Sequence, residues 1–102
     1  MRCYRDLYVS ENITKKGIDI RKEVEDGRYR RNLYLITLAM NGTDLLDIRK
    51  AAALSRASLR EKLPVIIGGA LGYDSALKLV EGIIGDCVRK TGTPDIRNYL
   101  GI

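Results

Sequence analysis

The stretch from Tyr73 to Gly92, YDSALKLVEGIIGDCVRKTG, constrains the fold of this chain more than any other. Its apolar residues Ala76, Leu77, Val80, Ile83, Ile84, Cys87 and Val88 recur at spacings of three and four. At 3.6 residues per turn that makes one broad hydrophobic stripe on a helix. Asp74 or Ser75 is placed to cap its first amides, and Gly92 to end it in the left-handed conformation. Arg89 and Lys90 fall in the last turn, where positive charge complements the helix dipole. Ile84 is expected at the centre of the core. Gly82 and Gly85, one turn apart, predict a close approach of the helix backbone to another element. A helix this amphipathic needs a surface to cover, which the remaining residues must supply.

The 102 residues suffice for one hydrophobic core, so residues 1–102 are read as a single domain. No apolar run approaches the roughly 20 residues of a membrane span. The opening MRCYRDLYVSEN carries Asp6 and Glu11 and has no apolar segment, so it does not read as a secretory signal. A cytoplasmic place without membrane contact is the default expectation. Cys3 and Cys87 are the only cysteines, which suits neither a disulfide framework nor a zinc site, and no metal or cofactor is expected. Cys87 lies on the apolar stripe and reads as a small buried hydrophobe. The net charge of +5 is uneven: +3 over residues 1–32, +2 over 33–63 and zero over 64–102. Such an excess favours anionic partners without specifying one.

Residues 2–9 are mixed in character and fit a short strand or an ordered N-terminal arm. From Asn12, the residues Ile13, Gly17, Ile20 and Val24 step along one face of a helix over 12–26, with Ser10 or Asn12 as its cap and Gly27 as its stop. Leu33–Ala39 reads as a strand, apolar on both parities. Asn41-Gly42 is a strong hairpin signal. The segment Leu45–Leu63 supports two readings: one helix capped by Thr43 or Asp44, or a strand over about 45–51 followed by a helical segment within 54–62. The second is preferred. Pro64–Gly68 reads as a short buried strand, with Gly68, Gly69 and Gly72 forming the turn into the long helix. Thr93 is placed to cap a final short helix, with Pro94 at its first position.

Two stretches invite a functional reading. Gly68, Gly69 and Gly72 lie between a strand and a helix, the setting of phosphate-binding loops. They match neither GxGxxG nor a GK[ST] ending, and a tight turn is the favoured explanation, with anion binding as the alternative. Arg28, Arg30 and Arg31 surround Tyr29 and follow Lys15 and Lys16 on the preceding helix, a pattern compatible with nucleic-acid phosphates. The interspersed Asp19, Glu23, Glu25 and Asp26 also fit an ordinary solvated face. The chain has no histidine, which removes the usual general base and metal ligand, and no serine or cysteine has an evident activating partner. An enzyme is therefore not expected.

Arg5–Asn12 (RDLYVSEN), Leu33–Ala39, Gly72–Glu81 (GYDSALKLVE), Thr91-Gly92 and Asp95-Ile96-Arg97 resemble a group of short bacterial proteins with no assigned activity. The resemblance spans nearly the whole chain, implies a single-domain unit and a strand at 45–51, and carries no site residues. The run Ala51-Ala52-Ala53 departs from that pattern.

The expected fold is α+β: a small antiparallel three-stranded sheet with two main helices on one face, in the order α-β-β-β-α, plus short helical segments. Double-stranded-RNA-binding domains share this order of elements, but Tyr73-Asp74-Ser75 lacks the basic cluster with which their second helix meets phosphates. The expected function is a non-enzymatic interaction module. With two apolar sheet faces and helices on one, a homodimer packing the open face is expected. The alternative is a nucleic-acid backbone binder using Arg28, Arg30, Arg31, Lys15 and Lys16.

Overall fold

The structure, a computed structural model, describes residues 2–39 and 45–102. It is an α+β domain whose four-stranded mixed sheet carries helices on both faces. Strand β1 (Cys3–Val9) leads into two short helices, α1 (Glu11–Lys15) and α2 (Ile20–Glu25). Strands β2 (Leu33–Leu38) and β3 (Leu46–Lys50) follow, then a 3-10 turn (Ala51–Ser55) and α3 (Ala57–Lys62). Strand β4 (Ile66–Leu71), α4 (Tyr73–Thr91) and α5 (Ile96–Leu100) complete the chain.

The single helix expected over 12–26 is two helices. Gly17 adopts φ +65°, its amide donates to the Thr14 carbonyl, and the Ile18 amide donates to Ile13. This pair of bonds is the Schellman closure that ends a helix at a left-handed residue. Glycine at this position therefore breaks the helix instead of being tolerated inside it. Gly27 closes α2 in the same way, as its stop signal predicts. Asp19 restarts the chain by accepting the Lys22 amide at 3.2 Å.

The strand order is β1-β4-β2-β3. β2 pairs antiparallel with β3 from Tyr34 opposite Lys50 to Leu38 opposite Leu46. The strand reading of 45–51 thus stands; Asn41-Gly42, Thr43 and Asp44 lie outside the described residues. The expected three-stranded antiparallel sheet is corrected by β1, which adds parallel to β4. β1 was hard to read because it bulges: Cys3 pairs with Ile66 and Tyr8 with Gly68, so the residues between loop off the ladder. Arg21 spans that bulge, donating to the carbonyls of Tyr4 at 2.9 Å and Arg5 at 3.3 Å.

The two main helical regions lie on opposite faces, not on one. Ile13, Ile20 and Val24 pack with Leu33, Leu35, Ala51 and Leu54. Ile83, Cys87, Ile96 and Leu100 pack with Ile36, Leu38 and Ile67 on the other side. The alternate residues of β2 are apolar on both parities, and each row receives its own layer from this chain. Every fully buried Leu or Ile there contributes about 1.5–3 kcal/mol.

On α4 the buried line is Ala76, Ile83 and Cys87. Ile84 sits at the edge of its cluster, while Ile83 is 1% exposed and takes the central place expected of Ile84. The apolar stripe is wider than the strip of sheet beneath it, so Leu77 and Val88 remain 39% and 42% exposed. α4 starts from Gly72 without a side-chain cap, so neither Asp74 nor Ser75 serves, and Gly92 follows its last turn as expected. α5 is capped by Asp95, which accepts the Asn98 amide at 3.2 Å, instead of by Thr93.

Candidate functional site

Gly68 and Gly69 belong to strand β4 and do not form the expected loop. A β-carbon on Gly68 would meet the Tyr8 carbonyl oxygen, and one on Gly69 would meet the Ile20 side chain. Both glycines therefore serve close packing at the buried centre of the sheet. Of the three, Gly72 alone borders a helix start, and its amide donates to the Asn32 carbonyl at 2.8 Å.

The five basic residues singled out in sequence occupy different surroundings. The Arg30 guanidinium pairs with Glu23, which is buried within α2. Arg30 thus compensates a buried carboxylate, which without a partner would be strongly destabilising. Arg28 lines a 190 Å³ hollow that also contains Asp19, Glu23 and Asp26, a mixed-charge surrounding. Arg31 is exposed beside Asn32, next to the start of α4. Lys16 caps the end of α1 and is exposed. Lys15 faces a cleft of about 460 Å³ between α1 and α4, together with Lys78.

A second basic feature escaped the sequence reading. Lys50 at the end of β3, Arg56 before α3 and Lys62 at its end line one open cleft of about 630 Å³. Ser55 and Ser58 add hydroxyls, Ala52, Ala53 and Leu59 make its apolar wall, and among the described residues no carboxylate lines it. Among the described residues, none of these three cations forms an ion pair. The 3-10 turn holds the cleft to the core through the buried Ala51 and Leu54. Arg60 fixes the corner by donating to the Leu54 carbonyl at 3.0 Å. Three cations on so firm a base form a local positive field. The available signal was the charge of Arg49–Lys62, where Arg49, Lys50, Arg56, Arg60 and Lys62 face only Glu61. Neither helical nor strand periodicity brings these residues together; the turn at 51–55 does.

Among the described residues, the largest proton-affinity shift lies apart from both clefts. Burial, and then the hydrogen bond that the Tyr8 hydroxyl donates to Tyr99 at 3.5 Å, push the Tyr8 phenol up to about 12. The same bond lowers Tyr99, whose ring also lies 5.9 Å from the Lys90 ammonium. Burial raises the Cys3 thiol against the opposing pull of Arg21, a surrounding that disfavours the thiolate.

No protein-family model, curated protein or solved structure matches this chain. Among the described residues, no helix is long and apolar enough to cross a membrane.

Proposed function

We propose that this protein is a non-catalytic module that binds the phosphate backbone of nucleic acid in the cleft of Lys50, Arg56 and Lys62. The observation that carries the reading is that this cleft gathers three cations that, among the described residues, have no ion-pair partner and no carboxylate beside them. Arg56 and Lys62 bracket α3, whose six residues span roughly 9 Å, so the two cations can meet different phosphates of one strand. Ser55 and Ser58 offer hydroxyl donors to the same oxygens. Contacts of this kind fix affinity without reading bases, so the expected binding is weakly selective for sequence. The chain's formal charge of +5 supports association with a polyanion. A cytoplasmic place, where such polymers are within reach, goes with this reading.

Fluorescence anisotropy with a labelled single strand and a labelled duplex tests it. Binding between about 1 and 100 µM at low salt is expected, weakening with a log–log slope of about −2 to −3 for three phosphate contacts. Replacing Lys50, Arg56 and Lys62 together by Gln should remove that slope. The pair Arg28→Gln and Arg31→Gln should leave most of it. Equal binding by the triple variant, or none tighter than about 100 µM at low salt, would overturn the assignment.

Self-association is the second reading, and it moves to a different surface because both sheet faces are covered within the chain. Tyr73, Leu77 and Val88 lie exposed along one flank of α4, and the Tyr73 ring meets Tyr34 edge-on at 5.8 Å. A dimer would pack these flanks. Light scattering coupled to size exclusion decides it: a dimer dissociated by Leu77→Lys supports the reading, and a sole 11.4 kDa species ends it.

A further inference from the structure

Because β1 and β4 are parallel neighbours, their carboxyl ends lie side by side, with Val9 opposite Gly69. Each strand turns directly into a helix there, β1 through Ser10 into α1 and β4 through Gly72 into α4. The crevice beyond the carboxyl ends of such strands is where sheets of this kind receive ligands. Here it is the cleft of about 460 Å³ between α1 and α4, within the size range of small-molecule sites.

Asn12 sets its shape. Its amide nitrogen donates to the Leu71 carbonyl at 2.9 Å and to the Ser75 hydroxyl at 3.2 Å. Its amide oxygen accepts the Leu71 amide at 3.3 Å and the Ser10 hydroxyl. One side chain thus ties the two strand-to-helix junctions together, and its hydrogen-bonding capacity is spent on that task. Ser75 accepts from Asn12, which leaves its own hydroxyl proton to donate. Lys15 and Lys78 reach the same cleft, and among the described residues neither has an ion-pair partner. Both Ser75 and Lys78 belong to the first two turns of the 19-residue α4, where the helix dipole adds positive potential. Val9 and Leu79 supply apolar wall, and Glu11 supplies one acceptor.

We infer that this cleft binds a small phosphomonoester bearing free hydroxyl groups. Two ammonium groups and a hydroxyl donor suit the near-dianionic phosphate, and the Glu11 carboxylate suits a hydroxyl on the organic part. The inference is independent of the nucleic-acid reading, which concerns a cleft lined by other residues.

Amide-shift titrations of the intact protein with glycerol 3-phosphate, inorganic phosphate and glycerol test it. Glycerol 3-phosphate should bind at about 1 mM or tighter, inorganic phosphate about tenfold more weakly, and glycerol not at all. The shifts should centre on Asn12, Ser75 and Lys78. Lys15→Gln or Lys78→Gln should weaken binding about tenfold, and Glu11→Gln should weaken glycerol 3-phosphate while sparing inorganic phosphate. These three side chains are exposed, so the variants should keep the wild-type amide spectrum away from the cleft. No shift at about 10 mM ligand, equal affinity in the Lys15→Gln/Lys78→Gln protein, or shifts confined to the Lys50–Lys62 cleft would overturn the inference.

Discussion

A β-carbon on Gly68 would lie 2.4 Å from the carbonyl oxygen of Tyr8, at the rung where β1 rejoins β4 after its bulge. The obstacle is backbone, so no rotamer change relieves it. Gly68→Ala should therefore lose about 1–3 kcal/mol of stability or more, measured by urea denaturation. A loss below about 0.5 kcal/mol would mean that β1 can move away at little cost.

Gly82 and Gly85 predict the opposite sign. Among the described residues nothing lies within 4 Å of a β-carbon built on either, so none of them makes the close approach expected from the sequence. Each alanine replacement should raise stability by about 0.5–1 kcal/mol through helix propensity. A decrease in thermal stability at high protein concentration alone would show that another copy packs there.

The two adjacent isoleucines of α4 should separate cleanly. Ile83→Ala should lose about 2–5 kcal/mol in chemical denaturation, because Ile83 is central in its cluster. Ile84→Ala, at the cluster's edge, should lose about 1–2 kcal/mol. The reverse order would mean that α4 is rolled about its axis by a fraction of a turn.

Arg30→Ala should behave as a core lesion, although the arginine is half exposed. It strands the Glu23 carboxylate, only 6% exposed, and should lose about 1–3 kcal/mol. Arg28→Ala and Arg31→Ala should each stay within about 0.5 kcal/mol of wild type. Equal effects from all three would remove the structural role assigned to Arg30.

The Tyr8–Tyr99 pair makes a prediction in alkali. The Tyr8 phenol holds its proton to about pH 12 in the folded protein and to its ordinary value of 10 when unfolded. Between those values the unfolded chain binds fewer protons, so Tyr8 makes stability fall as pH rises from 10 to 12. Tyr99 is shifted downward, so it makes stability rise with pH below 10 and partly offsets the onset. Phenolate absorbance should show a late step near pH 12 that Tyr8→Phe removes. Tyr99→Phe should move that step lower without abolishing it, since burial is the larger cause.

What was legible in the sequence was whatever local periodicity determines. The α4 stripe, the apolar run of β2 and the terminating role of Gly27 each depend on residues close in the chain. β1 was not legible as a parallel strand: its pairing spans some sixty residues and is interrupted between Cys3 and Tyr8. The position of Ile84 failed for a related reason, since a stripe gives the side of a helix but not how far it rolls on its neighbour. Gly68 and Gly69 looked like a loop because a strand so crowded that side chains are excluded has the composition of a turn. For the candidate sites, Lys15 was legible as a basic surface residue, but its pairing with Lys78 required the two parallel strands to be placed together. The cleft at Lys50, Arg56 and Lys62 is made by a 3-10 turn, which no repeat spacing announces.

The strand order β1-β4-β2-β3 has a consequence for how the protein is made. β4 is the last of these four strands to leave the ribosome, yet it separates β1 from the β2–β3 pair and is the neighbour of both. Until it emerges, Leu33, Leu35 and Ile36 have a partner strand on one side only, and β1 has none. At translation speeds of about 5–20 residues per second, the interval from Ile36 to Leu71 lasts roughly 2–7 seconds. During it the nascent chain carries an open strand edge that a chaperone could hold, or another nascent copy could capture. Arrival of Ile66–Leu71 closes both gaps in one event, so folding of this chain should be gated by the synthesis of its central strand.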